Sequence, residues 1–336
     1  MKHRFHPTRP STQRGVTLIE LMVGLTLGLI IATALLMLFA NASISGQNLN
    51  RASVQIENGR YVSELLAEDL RLAGFYGEAN LTGVGYASPD PCSAVVASWS
   101  SLPYTVPTPV QGYEPDDALA CLANRKAGTY ALAVRRVAVS TTDVADIPAV
   151  NTQNYVQYSF CTSDPAITKL IFGADKTLFT LKGRNCTTTN SVRAYVSRIY
   201  YVASCNDCSG DGDGVPTLKR VDLEGNQLVV RALADGIEEL RFEYGFDTDA
   251  NGSADSYLTT IDPAGGAAGL WENVMAVKVH FVTRSLDKAI GSGLATAQEF
   301  QLGQTETLNI AADGYSRRAY SNVVRLVNPS SVREAQ

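Results

Sequence analysis

From Val16 to Ala40 the chain runs 25 residues with one charged side chain, Glu20. A helix of about 20 apolar residues spans a bilayer, so the run is long enough to cross one. It is apolar all round, as a membrane helix is. Glu20 sits only five positions into it. A charge at mid-membrane costs roughly 2.5–3.5 kcal/mol on insertion scales, which predicts a partner and a function for this carboxylate.

A basic leader precedes the run: residues 1–15 carry Lys2, Arg4, Arg9 and Arg14 and no acid. Positive charge stays on the cytoplasmic side, which sends the C-terminal part outward. Without those four residues the chain has 24 basic and 33 acidic side chains, a net charge near −9. Such a chain is not expected to bind nucleic acid, whose phosphates need clustered Lys and Arg. The 336 residues are 45% hydrophobic, enough for one large core or two small ones.

The junction Arg14-Gly15-Val16-Thr17-Leu18-Ile19-Glu20-Leu21-Met22-Val23 resembles the class III signal of type IV pilins and pseudopilins. The resemblance implies that a prepilin peptidase cuts after Gly15. It implies that Val16 becomes the N-methylated N-terminus and that Glu20, then fifth, guides assembly. That family usually starts with Phe, and Val16 departs from this; the peptidase depends mainly on the glycine. A secretory signal is cut after its apolar core, whereas a cut at Gly15 keeps the core. The competing reading is an ordinary signal-anchor with a stray Glu.

Past Asn41 the chain turns polar but keeps three-to-four-residue spacing at Leu49, Ala52, Ile56, Val62, Leu65, Leu66, Asp69, Leu70, Leu72 and Ala73. Gly46 and Gly59 weaken this section; Gly74 and Gly77 are expected stops. One helix from Val16 to Ala73 would be about 85 Å long. Glu57-Asn58-Gly59-Arg60 and Asp69-Leu70-Arg71-Leu72-Ala73-Gly74-Phe75-Tyr76-Gly77 narrow the resemblance. They are similar to the ENGR start and DLRLAG finish of PilW-type minor pilins. Asn273–Ser285 and Arg317–Leu326 also look like that family. The resemblance covers both ends well and the middle loosely.

Residues 78–128 show no clear element. Strands are expected at Tyr130–Ser140, Tyr155–Cys161, Leu178–Leu181, Arg198–Val202, Leu218–Leu223, Leu228–Ala232, Ile237–Phe246, Val274–Arg284 and Tyr315–Val327. Glu238-Glu239-Leu240-Arg241 could equally be helical. The expected fold class is α+β and pilin-like: a long N-terminal helix, transmembrane then amphipathic, on a mainly antiparallel sheet. The expected segments are leader 1–15, membrane half 16–40, amphipathic half 41–77 and a periplasmic domain 78–336.

Six cysteines, Cys92, Cys121, Cys161, Cys186, Cys205 and Cys208, all follow the apolar run. An even number in an exported chain suits disulfides. Six allow 15 pairings; pairing of sequence neighbours is the expectation. Cys205-Asn-Asp-Cys208 has redox or half-zinc spacing. No second Cys/His pair completes a zinc site and no βαβ setting supports a thioredoxin-like motif, so a structural disulfide is favoured. Asp247, Asp249, Asn251, Gly252, Ser253 and Asp255 match the first nine positions of a calcium loop, but position twelve is Leu258. A polar hairpin turn is the competing reading. Asp211-Gly-Asp213-Gly214 reads as a turn.

Enzymatic machinery is scarce. Cleavage at Gly15 removes His3 and His6 and leaves His280, inside an alternating strand. No zinc-protease, nucleophile-elbow or phosphate-loop motif is present. The resemblance implies a non-enzymatic minor pilin that primes pilus assembly and sits in a tip complex, supporting twitching motility and adhesion. Its implied partners are other minor pilins, the major pilin, the prepilin peptidase, the inner membrane and a large tip adhesin. No cofactor is required; calcium is the one candidate. The alternatives are a minor pseudopilin of a type II secretion system, a membrane-anchored periplasmic hydrolase and a calcium-dependent adhesin. Gene neighbours, turnover assays, and binding with and without chelator separate them. Gly15→Val is expected to block processing, leaving a chain that begins before Val16; N-terminal mass spectrometry of membrane material reads this directly. Cleavage of that variant at the same bond, or a wild-type cut after Ala40, would refute the assignment.

Overall fold

The computed structural model describes residues 15–79, 81, 84–94, 105–164, 170–259, 271–288, 297–304 and 306–335. The leader through Arg14 lies outside the described residues. Helix α1 (Leu18–Leu72) runs without a break through Gly46 and Gly59. The chain divides into two compact units after Asn50. In the first, the helix is exposed around its circumference. In the second, burial returns at helical spacing at Gln55, Gly59, Val62, Leu66, Ala67, Asp69 and Leu70.

Two antiparallel sheets form the second unit. One runs β3 (Val110–Tyr113), β4 (Ala131–Val137), β7 (Arg193–Ala203), β8 (Thr217–Glu224) and β9 (Gln227–Asp235). The hairpin β5 (Tyr155–Tyr158) and β6 (Leu170–Gly173) joins it at the start of β7, where Tyr155 faces Ala194. The other runs β11 (Ser256–Leu258), β10 (Ile237–Phe246), β12 (Val274–Arg284) and β15 (Arg317–Arg325). A parallel pair, β1 (Gly85–Ala87) and β2 (Thr105–Pro107), a hairpin of β13 (Gln298–Leu302) and β14 (Glu306–Ile310), and a short helix α2 (Val327–Glu334) complete the described elements.

Period-two alternation decides how the second sheet faces. Leu240, Phe242 and Tyr244 of β10, with Val277, Val279 and Phe281 of β12, enter the main core. Glu239, Arg241, Glu243, Lys278 and His280 alternate with them. The β13–β14 hairpin lies on this polar face: the Gln304 amide donates to Glu243 Oε1 at 2.6 Å, and Arg241 pairs with Glu306. The main core also takes Leu132 and Val134 of β4, Tyr200 and Val202 of β7, and Leu218 of β8. Val62, Leu66 and Leu70 of α1 pack against residues of both sheets in this one cluster.

Polar contacts fix where α1 lies. Gln55 Nε2 donates to the carbonyls of Thr283 at 2.9 Å and Ser316 at 3.1 Å. Asn58 Nδ2 donates to the Asp235 carbonyl at 3.1 Å. At Gly59 the helix meets the Tyr320 ring so closely that a Cβ would lie 2.2 Å from its Cζ. One turn from the end, Asp69, 3% exposed, accepts from Arg136 Nε at 3.1 Å, Arg198 Nη1 at 2.9 Å and the Tyr200 hydroxyl at 2.8 Å. The helix stops before Gly74, whose φ of +68° is the left-handed conformation that glycine adopts at no steric cost. Asn328 Nδ2 then donates to the carbonyls of Arg71 and Ala73, which helix termination leaves open. The stretches Gln55–Gly59 and Asp69–Gly74 therefore supply the seat of the helix.

Several expectations need correction. Leu178–Leu181 is not a strand: a 3-10 turn covers Lys176–Leu178, and the Leu181 amide donates to the Gln157 side chain at 3.0 Å. A side-chain amide takes the place of a partner strand there. Residues 78–128 contain β1, β2 and β3, and Leu170–Gly173 is a strand that was not expected. The last strand ends at Arg325, and α2 follows with Pro329 in its first turn, where proline is tolerated. Glu238-Glu239-Leu240-Arg241 is strand, within β10.

Two substitutions test the seat by urea unfolding of the full chain in detergent. Gly59→Ala gains roughly 1 kcal/mol of helix propensity but overpacks Tyr320, which costs about 1–3 kcal/mol. The expected sign is destabilising, and Tyr320→Leu should restore the loss; a stabilised single variant would refute the close approach. Asp69→Asn strips two arginines of a buried partner, and such losses cost about 3–5 kcal/mol. The lower end is expected because Arg198 also reaches Asp222 at 3.3 Å. A change under about 0.5 kcal/mol, typical of a surface site, would show that Asp69 does not anchor the helix.

Candidate functional site

The N-terminal segment builds its site from backbone and one threonine. Residues 15–17 are not helical, and both Gly15 and Val16 are exposed. A Cβ on Gly15 would meet nothing within 4 Å. The chain's own packing therefore gives no reason for glycine at this position. Thr17 is the residue before the helix. Its Oγ1 accepts from the Glu20 amide at 3.4 Å, and its carbonyl accepts from the Leu21 amide at 3.1 Å. This is half of a capping box, and Thr-x-x-Glu is its sequence signature, a signal that the sequence reading missed. Glu20 thus stands in the first turn, where the open amides of a helix favour an anion. Glu20 itself is exposed, and so are the apolar side chains that follow it, from Leu18 at 77% to Phe39 at 75%.

In the second unit, α1 presents Ser53, Ile56, Glu57, Arg60, Tyr61 and Glu64 along a shallow groove. Ile56 and Tyr61 are among the exposed large side chains, and the charges between them alternate in sign. The same stretch of helix therefore carries a seated face and an open, mixed face.

The Asp-rich loop joins β10 to β11, with Phe246 opposite Ser256. No helix flanks it, so its setting is that of a hairpin turn. Carboxylate oxygens of Asp247, Asp249 and Asp255 lie within 4.8 Å of one another. Oxygen donors suit a hard cation, and these carboxylates also accept hydrogen bonds from within the loop. Asp247, 3% exposed, accepts from the amides of Asn251 at 3.1 Å and Gly252 at 2.8 Å. Asp249 accepts from Asn251 Nδ2 at 3.0 Å, and Asn251 Oδ1 accepts from the Ser253 amide at 2.8 Å. Asp255 accepts from the amide and hydroxyl of Thr248, and the amide bond foremost holds its carboxyl below the usual carboxylate range. Leu258 pairs with Tyr244 in the sheet and offers no ligand. The loop touches α2 instead: Arg333 Nε lies 3.8 Å from Asp247 Oδ2, and a Cβ on Gly252 would lie 2.7 Å from the Ser330 carbonyl.

His280 is 6% exposed on the polar face under the β13–β14 hairpin, with Nε2 3.7 Å from Glu243 Oε2. Burial pushes its imidazole below the ordinary value; Glu243 opposes this and Lys278 adds to it. Among the described residues no hydroxyl or thiol hydrogen-bonds to it. A nucleophile paired with a base, which covalent catalysis needs, is not assembled there.

The six cysteines form Cys92–Cys121, Cys161–Cys186 and Cys205–Cys208, with Cα separations of 5.4, 4.8 and 5.2 Å. The first ties residues before β2 to the loop between β3 and β4. The second ties the end of the β5 region to the segment before β7. The third lies within the β7–β8 connection, where Asp213 accepts from the amides of Asn206, Asp207 and Val215 and so forms the expected turn.

Two family models match the chain. Residues 10–36 match the prokaryotic N-terminal methylation motif, and residues 199–328 match the type IV pilus-assembly protein W family. The first spans the Gly15–Glu20 segment and most of the apolar run. The second begins in β7 and ends in α2, so it takes in β8 to β15. The helix segment from Glu57 to Gly77 lies between the two matches. No curated protein and no solved structure matches the chain. Proteins of this family are structural parts of the pilus rather than catalysts, and they work with other pilus components. A class III signal, a long apolar helix, an antiparallel domain with disulfides and a protein W match over its later strands support a PilW-type type IV pilin, with an N-terminal helix long and apolar enough to cross a membrane.

Proposed function

We propose that this minor pilin primes pilus assembly and resides in a tip complex with other minor pilins, supporting twitching motility and adhesion. The observation that carries the reading is the uncovered apolar helix with Glu20 in its first turn. Some 20 exposed apolar side chains need lipid first and neighbouring helices later. In lipid the domain faces the periplasm, because the basic leader holds the other end in the cytoplasm. After cleavage at Gly15, the helix leaves the membrane for a bundle of pilin helices. There Glu20 neutralises the α-amino group of its own Val16 or of a neighbour. The outward groove from Ser53 to Glu64 supplies a second contact, in which Ile56 and Tyr61 carry apolar area and Glu57, Arg60 and Glu64 set register.

No reaction and no cofactor enter this reading. The Asp247 loop serves as a turn that seats α2. A pseudopilin would share the anchor and the helix, but the match to the pilus-assembly family favours the pilus.

Glu20→Ala and Glu20→Leu test the assembly step. Both should be processed and inserted at wild-type levels, because a neutral side chain is easier to hold in lipid. Both should lose crosslinks to other minor pilins in membranes, since the attraction they remove is strong in a low-dielectric bundle. Wild-type crosslinking with normal piliation would remove the assembly role from Glu20. Failed insertion or cleavage would place its role earlier.

A further inference from the structure

The geometry points to Cys205–Cys208 as a reversible redox couple, opened by a dithiol reductant while the other two disulfides stay closed. Two features separate it from them. It bridges a sequence separation of 3, against 29 and 25. A short loop restricts the unfolded chain least, so this bridge has the least chain entropy holding it closed. The second feature is Lys219. This residue is 9% exposed, and its ammonium donates to the Asn206 carbonyl at 3.0 Å and lies 3.5 Å from Cys208 Sγ. Among the described residues no carboxylate stands within ion-pair distance of it. In the oxidised state this buried cation therefore faces a neutral sulfur.

Reduction changes that. One sulfur of the dithiol adds to the half-buried Cys208 Sγ, the disulfide breaks, and the buried Cys205 Sγ leaves and takes a proton. The second sulfur of the dithiol then closes on the first. Cys208 departs as a thiolate against Lys219, the other proton goes to solvent, and the reductant leaves as a cyclic disulfide. Two electrons pass from reductant to protein. A thiolate beside an ammonium is favoured, so the reduced form gains an ion pair that the oxidised form lacks. The other charges about the loop are Asp207, Asp213, Asp235 and Arg284. Asp207 and Asp213 are exposed: Asp207 Oδ1 accepts from the Ser209 amide and hydroxyl, with a lesser attraction to Lys219, and Asp213 accepts from the amides of Asn206 and Asp207. Asp235 accepts from Thr217 Oγ1 at 3.1 Å, and Arg284 donates to the Gly214 carbonyl at 3.0 Å. The same amide bonds keep the loop folded when the disulfide opens, which makes the change reversible.

The test equilibrates the full chain, in detergent, with dithiothreitol buffers of graded reduced-to-oxidised ratio. Acid quenching, differential alkylation and peptide mass spectrometry then read each cysteine. Cys205–Cys208 should reach half-reduction at a ratio at least about tenfold lower than either other pair, about 30 mV for two electrons. Lys219→Gln should raise that ratio about tenfold, and Lys219→Arg should keep it near wild type. Opening of Cys92–Cys121 or Cys161–Cys186 first or together, or an unmoved half-point in Lys219→Gln, overturns the proposal. Should the glutamine variant not fold, the wild type alone decides. After selective reduction, near pH 6, Cys208 should alkylate several times faster than Cys205, as a thiolate does; equal rates overturn the proposal.

Discussion

The Asp69 carboxylate is the point on which the arrangement of the second unit turns. It is buried on a helix and receives two guanidinium groups and a phenol from two strands of one sheet. A lone carboxylate there would be costly. With those three donors it is satisfied, and it lets the helix settle in one position along its axis. Apolar packing by Val62, Leu66 and Leu70 supplies most of the burial but tolerates sliding. Gln55 and Asn58 fix the other end through the carbonyls of Thr283 in β12, Ser316 just before β15 and Asp235 in β9. Directional bonds at both ends and a glycine contact at Gly59 make the register specific. The ion pairs continue outward, since Asp222 takes Arg198, Arg220 and Arg231 at 3.3, 2.8 and 3.2 Å. The helix anchor is thus the inner end of a charge ladder across β7, β8 and β9.

How much of this was legible depends on what each residue reports by itself. Ile237–Phe246 and Val274–Arg284 were readable to the residue, because apolar and polar side chains alternate along much of their length. Glu238-Glu239-Leu240-Arg241 left the first of these open to a helical reading. The Glu239 carboxylate turns away from the core, onto the face that also carries Glu243. The hairpin was missed although Phe300, Leu302, Leu308 and Ile310 alternate about Gly303. Each of its strands has only five residues, too few for the pattern to stand out. Leu178–Leu181 misled for the opposite reason: Phe179 and Leu181 alternate and are buried, but Gln157 satisfies the backbone in place of a strand. Alternation reports which side chains are buried; it does not report what the backbone bonds to.

The candidate sites divide along the same line. Gly15, Val16 and Glu20 lie within the match to the N-terminal methylation motif, in an exposed and unpacked segment whose pattern can be read along the chain. The calcium-like spacing at Asp247–Asp255 was equally legible, yet spacing is shared by a metal loop and a self-bonded turn. Only three dimensions show that amides, Arg333 and α2 occupy its surroundings. Asp69 was visible as one member of a periodic row, but its arginines come from Arg136 and Arg198, 67 and 129 residues away. No local pattern carries that distance.

The two halves of α1 therefore solve opposite problems with one helix. From Val16 to Ala40 the side chains are mostly apolar and exposed, with Glu20 the one charge. Beyond Arg51, polar groups fix the rotation tightly, and the face opposite the seat stays open from Ser53 to Glu64. A helix locked onto its domain presents its outward face at one defined angle. The seat at Gln55, Gly59 and Asp69 is what sets that angle within the second unit. The costs it carries, a buried carboxylate and a glycine inside a helix, are reasonable for specificity and poor for stability alone.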